Sequence, residues 1–175
     1  MENTVAFWRQ YQRFQEQEGW CGVADVQMTI LAGAGIDISQ TDIARDIYIP
    51  WWGTPQQLML AYLSRYFEKV NYKHGATIRD ISFHLDKGHI CIVNFWDDFL
   101  DGEEGDGHYS IVAECKKGSI TLVDSSRERN GIWSVPTKVF NPHWYDTIET
   151  QDKLYVDGWL LWVNPESRIN HENMA

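Results

Sequence analysis

Gln15 stands six residues before Cys21, and Cys21-Gly22-Val23-Ala24 opens a strongly patterned helix. A cysteine at a helix start is a candidate nucleophile, because the first helical N–H groups and the dipole favour the negative thiolate that attacks a carbonyl carbon. The amide of Gln15 can then donate to the oxyanion that such an attack creates. The second half of the chain supplies what a thiol needs, in Gly107-His108-Tyr109-Ser110 and, beyond an apolar run and a turn, Val123-Asp124-Ser125. His108 would act as the base, and Asp124 would orient the ring and stabilise its charged form.

The first half reads as helical. From Gly22 to Leu31 the apolar positions Val23, Val26, Met28, Ile30 and Leu31, with Asp25 in the first turn, predict a buried helix stopped by Gly33-Ala34-Gly35. Ser39 with Asp42 resembles a capping box before a short helix that ends at Pro50. Thr54-Pro55-Gln56-Gln57 predicts another, running to about Phe67, and a further helix is expected from Thr77 to Asp86, closed by Gly88. After Gly88 the pattern turns to period two, with strands predicted at His89–Trp96, His108–Cys115, Ser119–Asp124, Ile132–Val135 and Trp159–Val163. The expectation is a single α+β domain over residues 1–175. Its helical part (about 1–88) packs on an antiparallel sheet (about 89–165), a polar tail (166–175) frays, and the two parts meet along a cleft.

Whether His108 can meet Asp124 depends on one hairpin. If Lys116-Lys117-Gly118 forms a three-residue loop with Gly118 left-handed, Cys115 pairs with Ser119 and Ser110 faces Asp124. His108 shares a face with Ser110, so His108 and Asp124 become diagonal neighbours at roughly 7–8 Å, within side-chain reach. A two-residue turn reverses that parity and turns Asp124 to the wrong face.

Composition narrows the classes. With 175 residues, 43% of them hydrophobic, the chain can bury a full core without disulfide or metal staples. A formal net charge of −10 argues against nucleic acid and against an anionic membrane surface. The three cysteines, Cys21, Cys91 and Cys115, read as reduced thiols in a cytoplasmic setting, and no stretch is long and apolar enough for a membrane span or a signal peptide. Cys91 and Cys115 are expected to be buried in strands, and no metal site or other cofactor is expected. His143 is a rival base without an evident carboxylate, and Tyr109 reads as core. Trp51-Trp52 either caps the core or walls the groove. The acidic stretch Asp97–Asp106 reads as a solvated loop that lacks the spacing of a calcium loop. It can also border the cleft and favour cationic substrates through its field.

The residues Gln15 through Ala24, Gly107-His108-Tyr109 and Val123-Asp124-Ser125 together resemble the papain-like cysteine peptidases of the bacteriocin-processing (double-glycine leader) family and their stand-alone relatives. The resemblance spans most of the chain. It implies a papain-like fold, Cys21 as nucleophile, His108 as base, Asp124 as orienting acid and Gln15 as oxyanion donor, and it places Gly53-Thr54 near the cleft. Trp20, Gly22, Gly53, Thr54 and Gly107 are the expected substrate-lining residues. Val23 and Ser125 stand where the family often has proline, and no transporter segment follows, which fits the stand-alone branch better than an exporter-coupled one. The implied activity is hydrolysis of a peptide or related amide bond in a peptide or protein substrate, through a thioester. Acyl transfer or isopeptide hydrolysis on the same residues, or a catalytically silent peptide-binding module, are the alternatives. The oligomeric state is not legible.

Overall fold

The fold is known from a computed structural model, which describes residues 4–99, 105–148 and 154–170. The first half contains α1 (Val5–Tyr11), α2 (Cys21–Ala34), α3 (Gln40–Ile47), α4 (Gln56–Leu63), the strand β1 (Val70–Lys73) and α5 (Ile78–Asp86). The second half contains β2 (Ile90–Asp97), β3 (Asp106–Lys116), β4 (Ser119–Val123), β5 (Ile132–Pro136), the short α6 (Thr137–Phe140), β6 (Tyr145–Ile148), β7 (Leu154–Asp157) and β8 (Leu160–Val163). Six strands form one sheet in the order β1-β8-β2-β3-β4-β5 with every pair antiparallel, and β6-β7 form a separate hairpin. This is the α+β architecture that the sequence predicts.

Local chemistry explains the helix boundaries. Ser39 caps α3 by accepting from the Asp42 N–H, and Thr77 with Asp80 closes a reciprocal capping box on α5. Gly35, at φ 72°, ends α2 in the left-handed conformation that only glycine adopts without cost. The expectation for α4 fails in two respects. Thr54 makes no cap, since Pro55 occupies the N-cap without a side-chain bond and the Thr54 hydroxyl is buried without a partner, and the helix stops at Leu63 rather than near Phe67. Phe67 is instead fully buried and bridges Arg168. That bridge, with the bonds Glu68 N–H to Ser167 O (2.9 Å) and Ile169 N–H to Tyr66 O (2.7 Å), pins the tail through Asn170 that was expected to fray.

The central strands β2, β3 and β4 are buried on both faces, in keeping with their short continuous apolar runs. On one side Ile92, Tyr109, Ile111 and Ala113 pack with Val23, Val26, Met28 and Ile30 of α2 and with Ile43, Ile47 and Met59 of the next two helices. On the other, Val93, Val112 and Leu122 pack with Ile81 of α5, Phe140 and Trp144. Each fully buried apolar side chain contributes about 1.5–3 kcal/mol. Helix α2 therefore lies clamped along β3, and its first residue, Cys21, is held at one end of the sheet.

Candidate active site

Cys21 is partly exposed at the first position of α2. The N-cap residue, Trp20, offers no side-chain acceptor, so its indole does not compete for the N–H groups that point toward the thiol's end of the helix. His108 lies near the start of β3. Its Nε2 is 2.7 Å from Oδ1 of Asp124, and the ring lies close enough to the Cys21 thiol for the two to interact electrostatically. With Nε2 committed to the carboxylate, Nδ1 is the nitrogen left for sulfur.

Asp124 follows β4 directly and is fully buried, yet its carboxylate is well satisfied. Oδ1 accepts from His108 and from the Ser126 N–H (2.8 Å), while Oδ2 accepts from the Ser110 hydroxyl (3.2 Å) and from the Trp133 indole N–H (2.8 Å). Burial pushes the Asp124 carboxyl up, but the charge and hydrogen bond of His108, with the Ser126 and Trp133 donors, outweigh it and hold the group below the usual carboxylate range. Burial likewise opposes the imidazolium of His108. The charge of Asp124, then that of Cys21, and hydrogen bonds to both override it, so His108 is held well above an ordinary imidazole.

The hairpin that aligns His108 with Asp124 differs from the one expected. Lys116 pairs with Ser119 around a two-residue turn, Lys117-Gly118, with φ of 54° and 75°. Such a turn matches the twist of a hairpin and should have reversed the parity. A β-bulge restores it: Glu114 pairs with Thr121 and Val112 with Leu122, so Ala113 is an extra residue and the register returns to Ile111 opposite Val123. Ser110 consequently bonds Asp124, as the three-residue loop would have arranged.

Gln15 is held beside this cluster. Its backbone N–H donates to Ser125 O (2.9 Å), its Oε1 accepts from the Ser125 hydroxyl (3.1 Å), and its Nε2 donates one hydrogen to Gln17 O (3.1 Å), which leaves one amide hydrogen free of that bond. Of the other singled-out residues, Gly22, Thr54 and Gly107 adjoin the segments that carry Cys21 and His108. A Cβ on Gly22 would lie 2.7 Å from Cβ of Thr54, so glycine is what lets the Thr54 segment approach the Cys21 end of α2. The Thr54 carbonyl accepts from the Tyr109 hydroxyl (2.9 Å), and Tyr109 is buried, as expected of a core residue. A Cβ on Gly107 would collide with the Asp146 carboxylate, at 2.4 Å, which sits against the backbone just before His108. Gly53, at φ 91°, closes a bridge with Ile49, whereas Trp20 is packed edge-on against Tyr48 and buried. Trp51 is 85% exposed and does not cap the core.

Several groups in the site were not anticipated from the sequence. Trp133 is a donor to the carboxylate. Asp146 has its carboxyl raised to about 6, chiefly by burial. Asp25, one helical turn beyond Cys21, is fully buried and neither carboxyl oxygen has a hydrogen-bond partner. Burial first, then the charges of Cys21 and Asp124, push its carboxyl well above the usual range against the pull of His108. Its signal was visible, as the one carboxylate in an otherwise uncharged helix.

The rival base is engaged elsewhere. Contrary to expectation, His143 does have a carboxylate, with Nε2 2.9 Å from Asp98, but its Nδ1 bonds Val139 O (2.8 Å), so neither ring nitrogen remains for a proton transfer. Cys91 is fully buried, whereas Cys115 is only partly so, correcting the expectation for that residue. Asp97 and Asp98 are paired with Arg129 and His143 rather than simply solvated, and Leu100 through Glu104 lie outside the described residues. Among the described residues no three His, Cys, Asp or Glu side chains are grouped as a metal ion would require.

The α+β fold, helices packed on an antiparallel sheet, is the papain-like one that its solved structural neighbours also have. The peptidase domain of Streptococcus ComA, a bi-functional ABC transporter involved in quorum sensing, superposes with a TM-score of 0.62 at 13% identity, covering 87% of this chain and 98% of that domain. A Bacillus anthracis protein described as a C39-like peptidase gives 0.62 at 12% identity, with 88% and 94% covered. A double glycine motif protease from an AMS/PCAT transporter, solved in complex with the leader peptide, gives 0.57 at 13% identity, with 86% and 88% covered. No family model and no curated protein sequence matches the chain.

Proposed function

We propose that this protein is a cysteine-dependent hydrolase that cleaves a peptide or related amide bond through a thioester on Cys21. The observation that carries the reading is the convergence of three residues distant in sequence, with His108 Nε2 2.7 Å from Asp124 and the Cys21 thiol near enough to the ring to favour its charged form. Transfer of the thiol proton to His108 gives the thiolate, the form of sulfur that attacks a carbonyl carbon. Attack forms the S–C bond and an oxyanion, which accepts hydrogen bonds from the Gln15 amide and the Cys21 backbone N–H. The imidazolium then protonates the leaving nitrogen, the C–N bond breaks, and a thioester remains. His108, now neutral, removes a proton from water, which attacks the thioester and returns the sulfur as thiolate. Asp124 keeps the ring oriented throughout and stays ionised. The neighbour solved with a leader peptide supports a peptide as the substrate class here.

The test is cleavage of a fluorogenic peptide library together with labelling by a thiol-reactive peptidyl probe. Cys21→Ser and His108→Ala are expected to lower turnover by at least about a thousandfold, and Gln15→Ala by about a hundredfold. Labelling should vanish in Cys21→Ser and persist in Cys115→Ser. Cleavage retained without the Cys21 sulfur would sink the proposal; probe labelling without turnover on any peptide would favour a silent binding module. Substrate charge is a separate arm. Neutralising Asp101, Glu103 and Glu104 is expected to weaken turnover of Lys- and Arg-containing peptides more than that of neutral ones, and equal effects would remove the preference for cations.

A further inference from the structure

We propose that Arg129 and Asp97 are positioning residues for the His108–Asp124 pair, acting through the indole of Trp133; this rests on the role given to that pair above. Trp133, in β5, reaches Oδ2 of Asp124 at 2.8 Å, which leaves Oδ1 for the imidazole. An indole N–H is directed in the ring plane, so its bond to the carboxylate depends on that plane being fixed. The guanidinium of Arg129 lies 4.4 Å from the Trp133 ring centroid, and the rings of Phe95 and Phe99 abut the same indole at 6.5 and 5.6 Å. Arg129 is itself fixed by a close bond to the carboxylate of Asp97, with both side chains largely buried (7% and 16% exposed). The contacts therefore run in sequence from Asp97 to Arg129, Trp133, Asp124 and His108.

The chain path explains what such a relay would do. Asp97 ends β2 and begins the segment that leads into His108, while Arg129 sits in the turn between Asp124 and β5. One ion pair thus cross-ties the two connections that carry the base and its carboxylate. A buried ion pair adds little net stability, because desolvation of both charges offsets their attraction, so stability alone is a weak reason for it. What it does supply is a planar cation held at a fixed height over the indole. No other cation–π contact among the described residues touches a ring bonded to the site carboxylate.

The experiment combines steady-state kinetics with NMR titration of the His108 ring. Arg129→Gln and Asp97→Asn are each expected to lower kcat about tenfold with KM little changed, to move the alkaline limb of the pH profile downward, and to bring the His108 titration toward that of an ordinary imidazole. If Arg129 acts through Trp133, adding Arg129→Gln to Trp133→Phe should cost little beyond Trp133→Phe alone. Additive losses, or an unchanged His108 titration in a folded Arg129→Gln protein, would overturn the proposal. Arg129→Lys covers the case in which Arg129→Gln does not fold. It keeps the charge but not the plane, and is expected to show a smaller change of the same sign; kinetics and titration equal to the native protein would also overturn the proposal. The titration reads His108 without turnover. A chain that cleaves nothing would therefore remove the hydrolase reading and leave the positioning role to be decided by the titration.

Discussion

Asp25 is the residue whose environment is hardest to reconcile with stability alone. Every residue from Gly22 to Ile30 is buried, and among them stands a carboxyl with no hydrogen-bond partner, coupled to Cys21, His108 and Asp124. Its pKa is raised in the folded state, so folding takes up a proton as pH rises above the unfolded carboxyl value near about 4. The stability it allows is full below that value and is lost progressively toward the raised folded pKa. Asp25→Asn is therefore expected to be more stable than the native protein at pH 7–8, by an amount on the order of 1–3 kcal/mol, and to lose that advantage near pH 4. Thermal melts across that range check it, and a difference that does not vary with pH would contradict it. His108, also raised, stabilises most below about pH 6.5 and less as pH climbs through its folded value, whereas Asp124, lowered, stabilises above the usual carboxyl range and loses this in acid. Cys21, His108, Asp124 and Gln15 were legible because each has a characteristic residue type in a characteristic local pattern. Trp133, Asp146 and Arg129 were not, because only the fold decides which distant group each one touches.

At the scale of elements, the close approach of α2 to the Thr54 segment fixes the end of the helix that bears Cys21. Gly22→Ala would place a methyl 2.7 Å from Cβ of Thr54, which is part of a branched, buried side chain and cannot swing away. A loss of about 1–3 kcal/mol is expected, together with reduced turnover as the Cys21 end of α2 is displaced; a urea melt and rate equal to the native protein would contradict this. The β3–β4 hairpin offers a change of the opposite sign. Lys117 holds φ 54°, a conformation costly for most side chains, so Lys117→Asn is expected to stabilise by about 0.5–1 kcal/mol in the same melts. Helices α2, α3 and α5 were readable from their apolar spacing and end signals, and five strands from alternation. The bulge at Ala113 was not, since nothing in an apolar run marks which residue is left unpaired. Thr54 misled because a threonine before Pro55 looks like a cap, while its side chain is turned instead toward Gly22.

Across the whole molecule, the sheet is closed by segments far apart in sequence. β1, four residues without an apolar pattern, becomes a strand only because β8 pairs with it, from Val70 with Val163 to Lys73 with Leu160. The β6-β7 hairpin is similarly short and was not anticipated, yet it brings Asp146 against Gly107. The fold class and the residues of the candidate site could thus be read from local pattern, whereas the groups around them depend on pairing between distant segments. Everything proposed about chemistry requires that the sulfur at the head of α2 take the acyl group. Intact-mass analysis of the protein quenched during turnover of a slowly cleaved peptide ester tests this most directly. A single acyl adduct mapping to Cys21, absent in Cys21→Ser and not accumulating in His108→Ala, is the expected result; cleavage with no adduct on Cys21, or an adduct on Cys115 instead, would contradict it.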